Sequence, residues 1–205
     1  MRYTGPKFKL CRREGVNLFG TPKYDIKKRR TLPGQHGWTM ARLSEYGKLL
    51  RNKQVLKRIY QMSEKQFKRF VTDIAAKYSK NEGIDYDKAV KIILERRLDA
   101  VLLRSGIAKT IMQARQMITH GHFLLNGKKH NIPSYLVKKW DVLELKDKLK
   151  SSNLYADINN SNIKVPSYLK VNLSDKKIEV IDLPRAEEID VPADVLKVVE
   201  FYARA

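Results

Sequence analysis

The 205-residue chain has a single cysteine, Cys11, so it forms no internal disulfide and cannot hold a structural zinc through cysteines. A reducing compartment is expected. It also lacks any uncharged apolar run of the roughly 18 residues that a membrane helix needs. Its start, Met1-Arg2-Tyr3-Thr4-Gly5-Pro6, has none of the apolar core of a signal peptide. Acidic residues are scarce: 22 Asp and Glu stand against 42 Lys and Arg, a formal charge of +20. Such an excess repels itself in isolation and points to a polyanionic partner. Nucleic acid leads, because neutralising phosphates releases condensed counterions, and an anionic membrane surface comes second. The sequence shows no internal repeat, nucleophile beside a base, phosphate-cradling glycine loop or metal-ligand cluster. No enzyme activity and no cofactor are expected.

Apolar residues make up 42% of the chain and charged residues 31%, which fits a folded protein. The positive charge is localised. Residues 1–60 carry 16 basic and 3 acidic side chains, residues 97–150 carry 11 and 4, and residues 151–205 carry 7 and 9. The tail is therefore not a basic arm.

Residues 1–43 have little periodicity and many turn signals, so irregular chain is expected there, with one helical turn near Arg12-Arg13-Glu14. From Ser44 a helix is predicted, with Tyr46, Leu49, Leu50, Leu56, Ile59 and Tyr60 facing a core. Ser63-Glu64-Lys65-Gln66 is a capping box opening a second helix with Phe67, Phe70, Val71, Ile74 and Tyr78. Asp85 starts a third, containing Ala89, Ile92 and Ile93. These read as a small bundle. A second unit begins near Arg97: a short helix ended by Gly106, then a helix opened by the capping box Thr110-Ile111-Met112-Gln113 and closed by Gly121. Asn126-Gly127 then marks a hairpin, with Lys128 to Ile132 as its return strand. Further strands are expected at Trp140–Leu145, Tyr168–Leu173 and Ile178–Leu183. A last helix carries Val195, Val198, Val199 and Tyr202 on one face.

The run RLDAVLLRSGIAKTIMQARQMITHGHFLLNGKKHNIPSY, from Arg97 onward, resembles the small RNA-binding module named after small-subunit ribosomal protein S-four. RYTGPKFKLCRREG, LPGQHG and RLSEYGKLLRNKQVLKRIYQMSEKQF, within residues 2–67, are similar to the N-terminal half of that protein, and VVEFYARA to its end. The resemblance implies an α+β fold in which the module is inserted into a helical domain. The helical domain would span 1–96, with 186–205 returning to it, and the module with its C-terminal strands 97–185. The resemblance also implies a structural constituent of the small ribosomal subunit that binds rRNA early in assembly. Ribosomal protein S-five, translational accuracy and mRNA near the entry channel are further implied associations, and no stable homo-oligomer is expected. Many members of this family bind zinc through four N-terminal cysteines. Here only Cys11 remains and Phe8 stands near an earlier ligand position, so a zinc-free variant is expected. The segment 151–165 lacks the helix the family would place after the module.

Charge and resemblance together name the candidate rRNA contacts. In the N-terminal segment these are Arg2, Lys7, Lys9, Arg12, Arg13, Lys27, Lys28, Arg29, Arg30, Gln35, His36 and Arg42. A charge run such as Lys27–Arg30 is ordinarily a solvated face, but the surrounding chain offers it little core. The helix after Ser44 adds Lys48, Arg51, Lys53, Lys57 and Arg58, followed by Arg69. Five cations with few acidic neighbours would destabilise one another without a partner, so reversing Arg51, Lys53, Lys57 and Arg58 to Glu is expected to abolish rRNA binding without unfolding. In the module the candidates are Arg97, Arg104, Lys109, Thr110, Gln113, Arg115, His120, Lys128 and Lys129. Capping accounts for Thr110 and Gln113 equally well, whereas Lys109 and Arg115 flank a helix N-terminus suited to phosphate. His120, His122 and His130 lack the carboxylates or thiols that a metal site would add. The tripeptide Arg97-Leu98-Asp99 is similar to one that supplies an Asp in pseudouridine synthases, which carry the same module. Here it opens the module and the chain after it is too short for such a catalytic domain, so Asp99 is expected to be structural. An RNA-modifying or RNA-binding factor using the module outside the ribosome is the alternative.

Overall fold

The computed structural model describes residues 3–24, 26, 31–39, 42–152, 154–155 and 165–204. The chain divides into two compact units, Met1–Lys91 with Asp190–Ala205, and Ile92–Ile189.

The first unit is helical. Helix α1 spans Lys7–Glu14 and ends at Gly15, whose φ of 70° gives the left-handed turn that stops it. This helix is longer than the single turn expected from sequence. It buries only Cys11 and Arg12, too few positions to leave an apolar period. Burial pushes the Cys11 thiol pKa up. A 3-10 turn, Pro22–Tyr24, follows, and the Tyr24 ring meets Phe19 edge-on at 5.8 Å.

Helix α2, Glu45–Ile59, starts where the sequence placed it: the Ser44 side chain accepts from Gly47 N. Leu49, Val55, Leu56 and Tyr60 are buried. Tyr46, expected in the core, is 63% exposed, and its ring instead rests 5.7 Å from that of Phe201. Ser63 likewise accepts from Gln66 N and opens a continuous helical stretch made of α3 (Glu64–Arg69), a π-helical turn (Phe70–Ala75) and α4 (Ala76–Glu82). Phe67, Val71 and Ala75 are buried at four-residue spacing. The Tyr86 hydroxyl donates to Val71 O at 2.7 Å, tying the π turn to α5, Tyr86–Glu95. The last helix, α9 (Val195–Ala203), packs against α2 and buries Val195, Val198 and Phe201. Its N-terminus is fixed by Asp194, whose side chain accepts from Leu196 N and whose backbone N–H donates to the Asn52 amide oxygen.

The second unit is α+β. Helices α6 (Leu98–Arg104) and α7 (Ile111–Thr119) precede a five-stranded antiparallel sheet of order β2-β1-β3-β5-β4. The strands are β1 (Phe123–Leu125), β2 (Lys128–Lys129), β3 (Val142–Leu145), β4 (Leu169–Asn172) and β5 (Lys177–Val180). A short helix, α8 (Asp147–Lys150), follows β3. Alternation sets the faces: Phe123, Leu125, Leu143, Leu145, Ile178 and Val180 turn into one core with Leu98, Val101, Leu102, Met117 and Ile118. Asn126 and Gly127, at φ 51° and 78°, form the expected hairpin turn.

The return strand is shorter than the expected Lys128–Ile132. After Lys129 the chain leaves the ladder, and Pro133 and Tyr135 carbonyls accept from Asp99 N (3.2 Å) and Leu98 N (2.9 Å). Residues beyond the hairpin thus satisfy the open N–H groups of α6, which no side chain caps. Most of 151–165 lies outside the described residues, but Tyr155 is fully buried in the core.

Glu64 is the polar anchor of the first unit. Its carboxylate accepts from Lys53 (2.7 Å), Lys57 (2.8 Å) and the Tyr202 hydroxyl (2.9 Å), joining α2, α3 and α9. Partial burial alone pushes its pKa up, but these three donors outweigh it and hold the group at about 2. With the folded pKa below the ordinary 4.5, the contribution is fully present above about pH 4.5 and lost as pH falls through about 2. Because the side chain is nearly half exposed, E64Q is expected to cost only about 1 kcal/mol at neutral pH and to flatten the acid limb of stability. Urea denaturation of parent and variant at neutral and acid pH checks this, and identical curves at both would overturn it.

Candidate nucleic-acid interface

Among the cations named from sequence, the structure separates those consumed by the fold from those turned outward. The α2 face is the clearest case. Lys48 pairs with Glu45 at 2.6 Å, Arg51 and Arg58 share Glu14 at 3.1 and 2.5 Å, and Lys53 and Lys57 share Glu64. Five cations therefore meet three carboxylates, which corrects the expectation that this face, with few acidic neighbours, needs an outside partner. The Glu14 side chain is only 1% exposed, and Lys53 is buried with its ammonium 4.2 Å from the Phe201 ring centroid. Turning Arg51, Lys53, Lys57 and Arg58 into Glu would strip the partners from Glu14 and Glu64, so that set of changes breaks the fold rather than testing RNA contact.

Arg12 is also consumed. Its Nε donates to Thr31 O at 2.8 Å and its Nη2 to Thr31 Oγ1 and Leu32 O at 3.0 and 2.9 Å. This guanidinium pins the base of the loop 32–37, closed by Leu32 N to Gly37 O at 3.1 Å. Gly37 is required there, because a Cβ would collide with the Leu32 carbonyl oxygen. The loop holds Gln35 and His36 exposed at its tip, followed by Trp38, 86% exposed, which sequence reasoning did not select. Lys9, Arg13, Arg42 and Arg69 are exposed, and Lys7 is half-buried with its ammonium 5.7 Å from the Phe19 ring. Arg2 and the run Lys27, Lys28, Arg29, Arg30 lie outside the described residues.

In the second unit Asp99 is fully buried and accepts both Nε (3.0 Å) and Nη2 (2.8 Å) of Arg97, and Nε of Arg115 at 2.6 Å. Arg97 is itself buried. The expectation that Asp99 is structural fits this geometry, but Arg97 is withdrawn as a phosphate contact because its guanidinium is buried and bonded at two points to Asp99. Arg104 makes a two-point pair with Glu95 at 2.9 and 2.7 Å. Thr110 Oγ1 accepts from Gln113 N at 3.2 Å, and Gln113 Oε1 accepts from Lys109 N at 2.9 Å, so both polar side chains are occupied by the cap of α7.

The outward set in this unit surrounds the two ends of α7 and the hairpin. Lys109 is exposed at the start of the helix, and Lys128 and Lys129 are exposed on β2. At the other end of α7, Gly121 turns at φ 65°, and a Cβ there would meet the Lys129 side chain at 2.9 Å and Lys146 Nζ at 3.7 Å. Exposed His120 lies beside His122, their ring centroids 5.9 Å apart. Burial, then the charges of His120 and Lys146, lower the His122 pKa, while its Nδ1 lies 2.7 Å from the Tyr155 hydroxyl. Lys146 was missed from sequence. It reaches this corner because Lys146 N donates to His122 O at 3.0 Å, a pairing no local pattern announces.

Comparison with known proteins agrees with this architecture. Residues 2–98 match the family model of the ribosomal protein S4/S9 N-terminal domain, and residues 96–143 match that of the S4 domain. The chain is 43% identical to the small ribosomal subunit protein uS4 of Halothermothrix orenii, over 99% of both chains. It is 40% and 42% identical to the proteins of that name from Kosmotoga olearia and Thermotoga petrophila, again over 99% of each. The chain belongs to the small ribosomal subunit protein uS4 family.

In this uS4 family member the Arg97–Asp99–Arg115 group joins the first turn of α6 to α7, and α7 carries Lys109. D99A would remove the buried carboxylate that accepts three guanidinium hydrogen bonds from Arg97 and Arg115, so a loss of about 3–5 kcal/mol in unfolding free energy is expected. Denaturant unfolding of D99A checks this, and a change within about 0.5 kcal/mol, the scatter of surface substitutions, would show the group to be dispensable.

Proposed function

We propose that this chain is a structural, non-catalytic component of the small ribosomal subunit that binds small-subunit rRNA directly. The observation that carries the reading is the placement of exposed Lys109, Lys128 and Lys129 around a helix and hairpin whose cap and turn side chains, Thr110, Gln113 and Asn126, are already hydrogen-bonded inside the fold. Among the described residues no carboxylate pairs with these three cations, which suits phosphate, while the helix and turn set their spacing for a folded RNA backbone. The curated relatives carry the name small ribosomal subunit protein and come from bacteria, which supports a place in the bacterial ribosome. Among the described residues no helix is long and apolar enough to cross a membrane.

The reading extends to early binding during subunit assembly, to contact with ribosomal protein S-five and a share in translational accuracy, and to a position near incoming mRNA. These finer roles rest on the resemblance of Arg2–Gly15, Leu32–Gly37 and Arg42–Phe67 to the family.

The triple variant K109E/K128E/K129E changes only exposed side chains, so the fold is expected to persist. Filter binding to small-subunit rRNA should weaken, and the slope of log K against log salt should shrink by on the order of 1 for each phosphate no longer neutralised. Parent-like affinity and slope in the triple variant would sink the proposal for this face.

A further inference from the structure

Trp140 sits where a bulky side chain is unfavoured. Its φ is 72°, in the left-handed region, and its indole is 69% exposed, so burial does not offset the strain. The corner that holds it is rigid. Trp140 N donates to Val180 O at 2.7 Å and Val180 N donates to Asp141 O at 3.0 Å. The Asp141 carboxylate, on a buried residue, accepts from Lys138 N at 2.7 Å, Asn126 Nδ2 at 2.9 Å and the Tyr135 hydroxyl at 3.3 Å. Asn126 Oδ1 in turn accepts from Val142 N at 2.8 Å. Leu125 lies opposite Leu143 in the β1–β3 pairing, so the Asn126–Gly127 turn and Trp140 occupy the same end of the sheet.

The charge around this end is mainly positive. Lys128, Lys138 and Lys139 are exposed, and Lys139 Nζ lies 5.5 Å from the indole centroid. The nearby carboxylates are accounted for: Asp141 is spent inside the corner, Asp182 meets Lys139 at 3.2 Å, and Glu179 meets Lys177 at 3.4 Å. A pre-ordered aromatic face with cations beside it suits a base whose flanking phosphates carry the opposite charge. A paired A-form helix keeps its base faces stacked inside, so the ligand must offer an unpaired nucleotide.

We propose that Trp140 is a stacking platform for an unpaired RNA base, with Lys128 and Lys138 taking the adjoining phosphates. The inference rests on the rRNA-binding reading above and deepens it by naming the kind of element bound: a looped or bulged nucleotide.

Trp38 and Trp140 are the two tryptophans of the chain, so the full-length W38F variant reports on Trp140 alone. Its emission is expected to be quenched on titration with small-subunit rRNA. In the otherwise native chain, W140A should lose roughly 5- to 100-fold in affinity with an unchanged salt slope, and W140F should keep most of it. W140G relieves the positive φ and should raise the thermal midpoint, so weakened binding by that variant is not unfolding. Unquenched emission together with parent-like affinity in W140A overturns the stacking platform and leaves the rRNA-binding reading intact. Failure of the parent chain to bind the rRNA overturns both. If W140A binds naked rRNA like the parent yet is lost from subunits reconstituted with the other proteins, the indole serves a protein contact and the proposal is wrong.

Discussion

Asp99 has left water completely, and it does so with three guanidinium hydrogen bonds from Arg97 and Arg115. Glu14, nearly as buried, lies between Arg51 and Arg58, and Glu95 receives both arms of Arg104. A carboxylate taken from solvent must find donors at hydrogen-bonding distance, guanidinium groups for Asp99, Glu14 and Glu95 and neutral N–H and O–H groups for Asp141. A buried guanidinium must find acceptors, as Arg12 does in Thr31 and Leu32. In a chain with nearly twice as many bases as acids this requirement sorts the bases. Glu14 draws its donors from an element distant in sequence and Asp99 from both a near neighbour, Arg97, and the more distant Arg115, and the remaining cations are left at the surface. The outward charge therefore depends on the inward pairing. Arg115 can hold α7 against α6 only because Asp99 is there, and Lys109 has a fixed position only because α7 does.

Much of the fold was legible wherever a signal is local. Ser44, Ser63 and Thr110 cap the helices that the sequence assigned to them, and Asn126-Gly127 turns the hairpin. The strand at 169–172 matches the expected Tyr168–Leu173 to within a residue, and that at 177–180 starts one residue early and ends three residues before the expected Leu183. These features depend on φ preferences and on side chains reaching two or three residues along the chain. Errors appear where a distant element takes over. The return strand stops at Lys129 because the following residues are needed at the start of α6. Tyr46 and Phe201 share one contact, but Phe201 takes the interior place, and helical period alone does not say which of two facing aromatics is deeper.

The candidate site shows the same division. Lys109 and Lys128 were legible because a cap and a tight turn leave little choice about where they point. The α2 cations were misjudged as unpartnered because Glu14 lies 37 and 44 residues from Arg51 and Arg58, beyond any local pattern. Lys146 and Trp140 were not selected at all. One reaches its corner through a backbone bond to His122, and the other was read as an ordinary strand residue although its φ belongs to a turn.

Salt acts differently on the two populations of cations. Pairs such as Arg97–Asp99 are shielded by burial, so screening ions reach them poorly and the fold keeps them across ionic strength. The surface cations repel one another in the unbound chain, and screening relieves that repulsion. Bound to RNA, the same cations have displaced counterions from phosphate, and added salt reverses the gain. One change of solvent therefore favours the isolated fold and disfavours its complex. That opposition comes from the outward cations alone, and a chain whose basic residues were all internally paired would not show it.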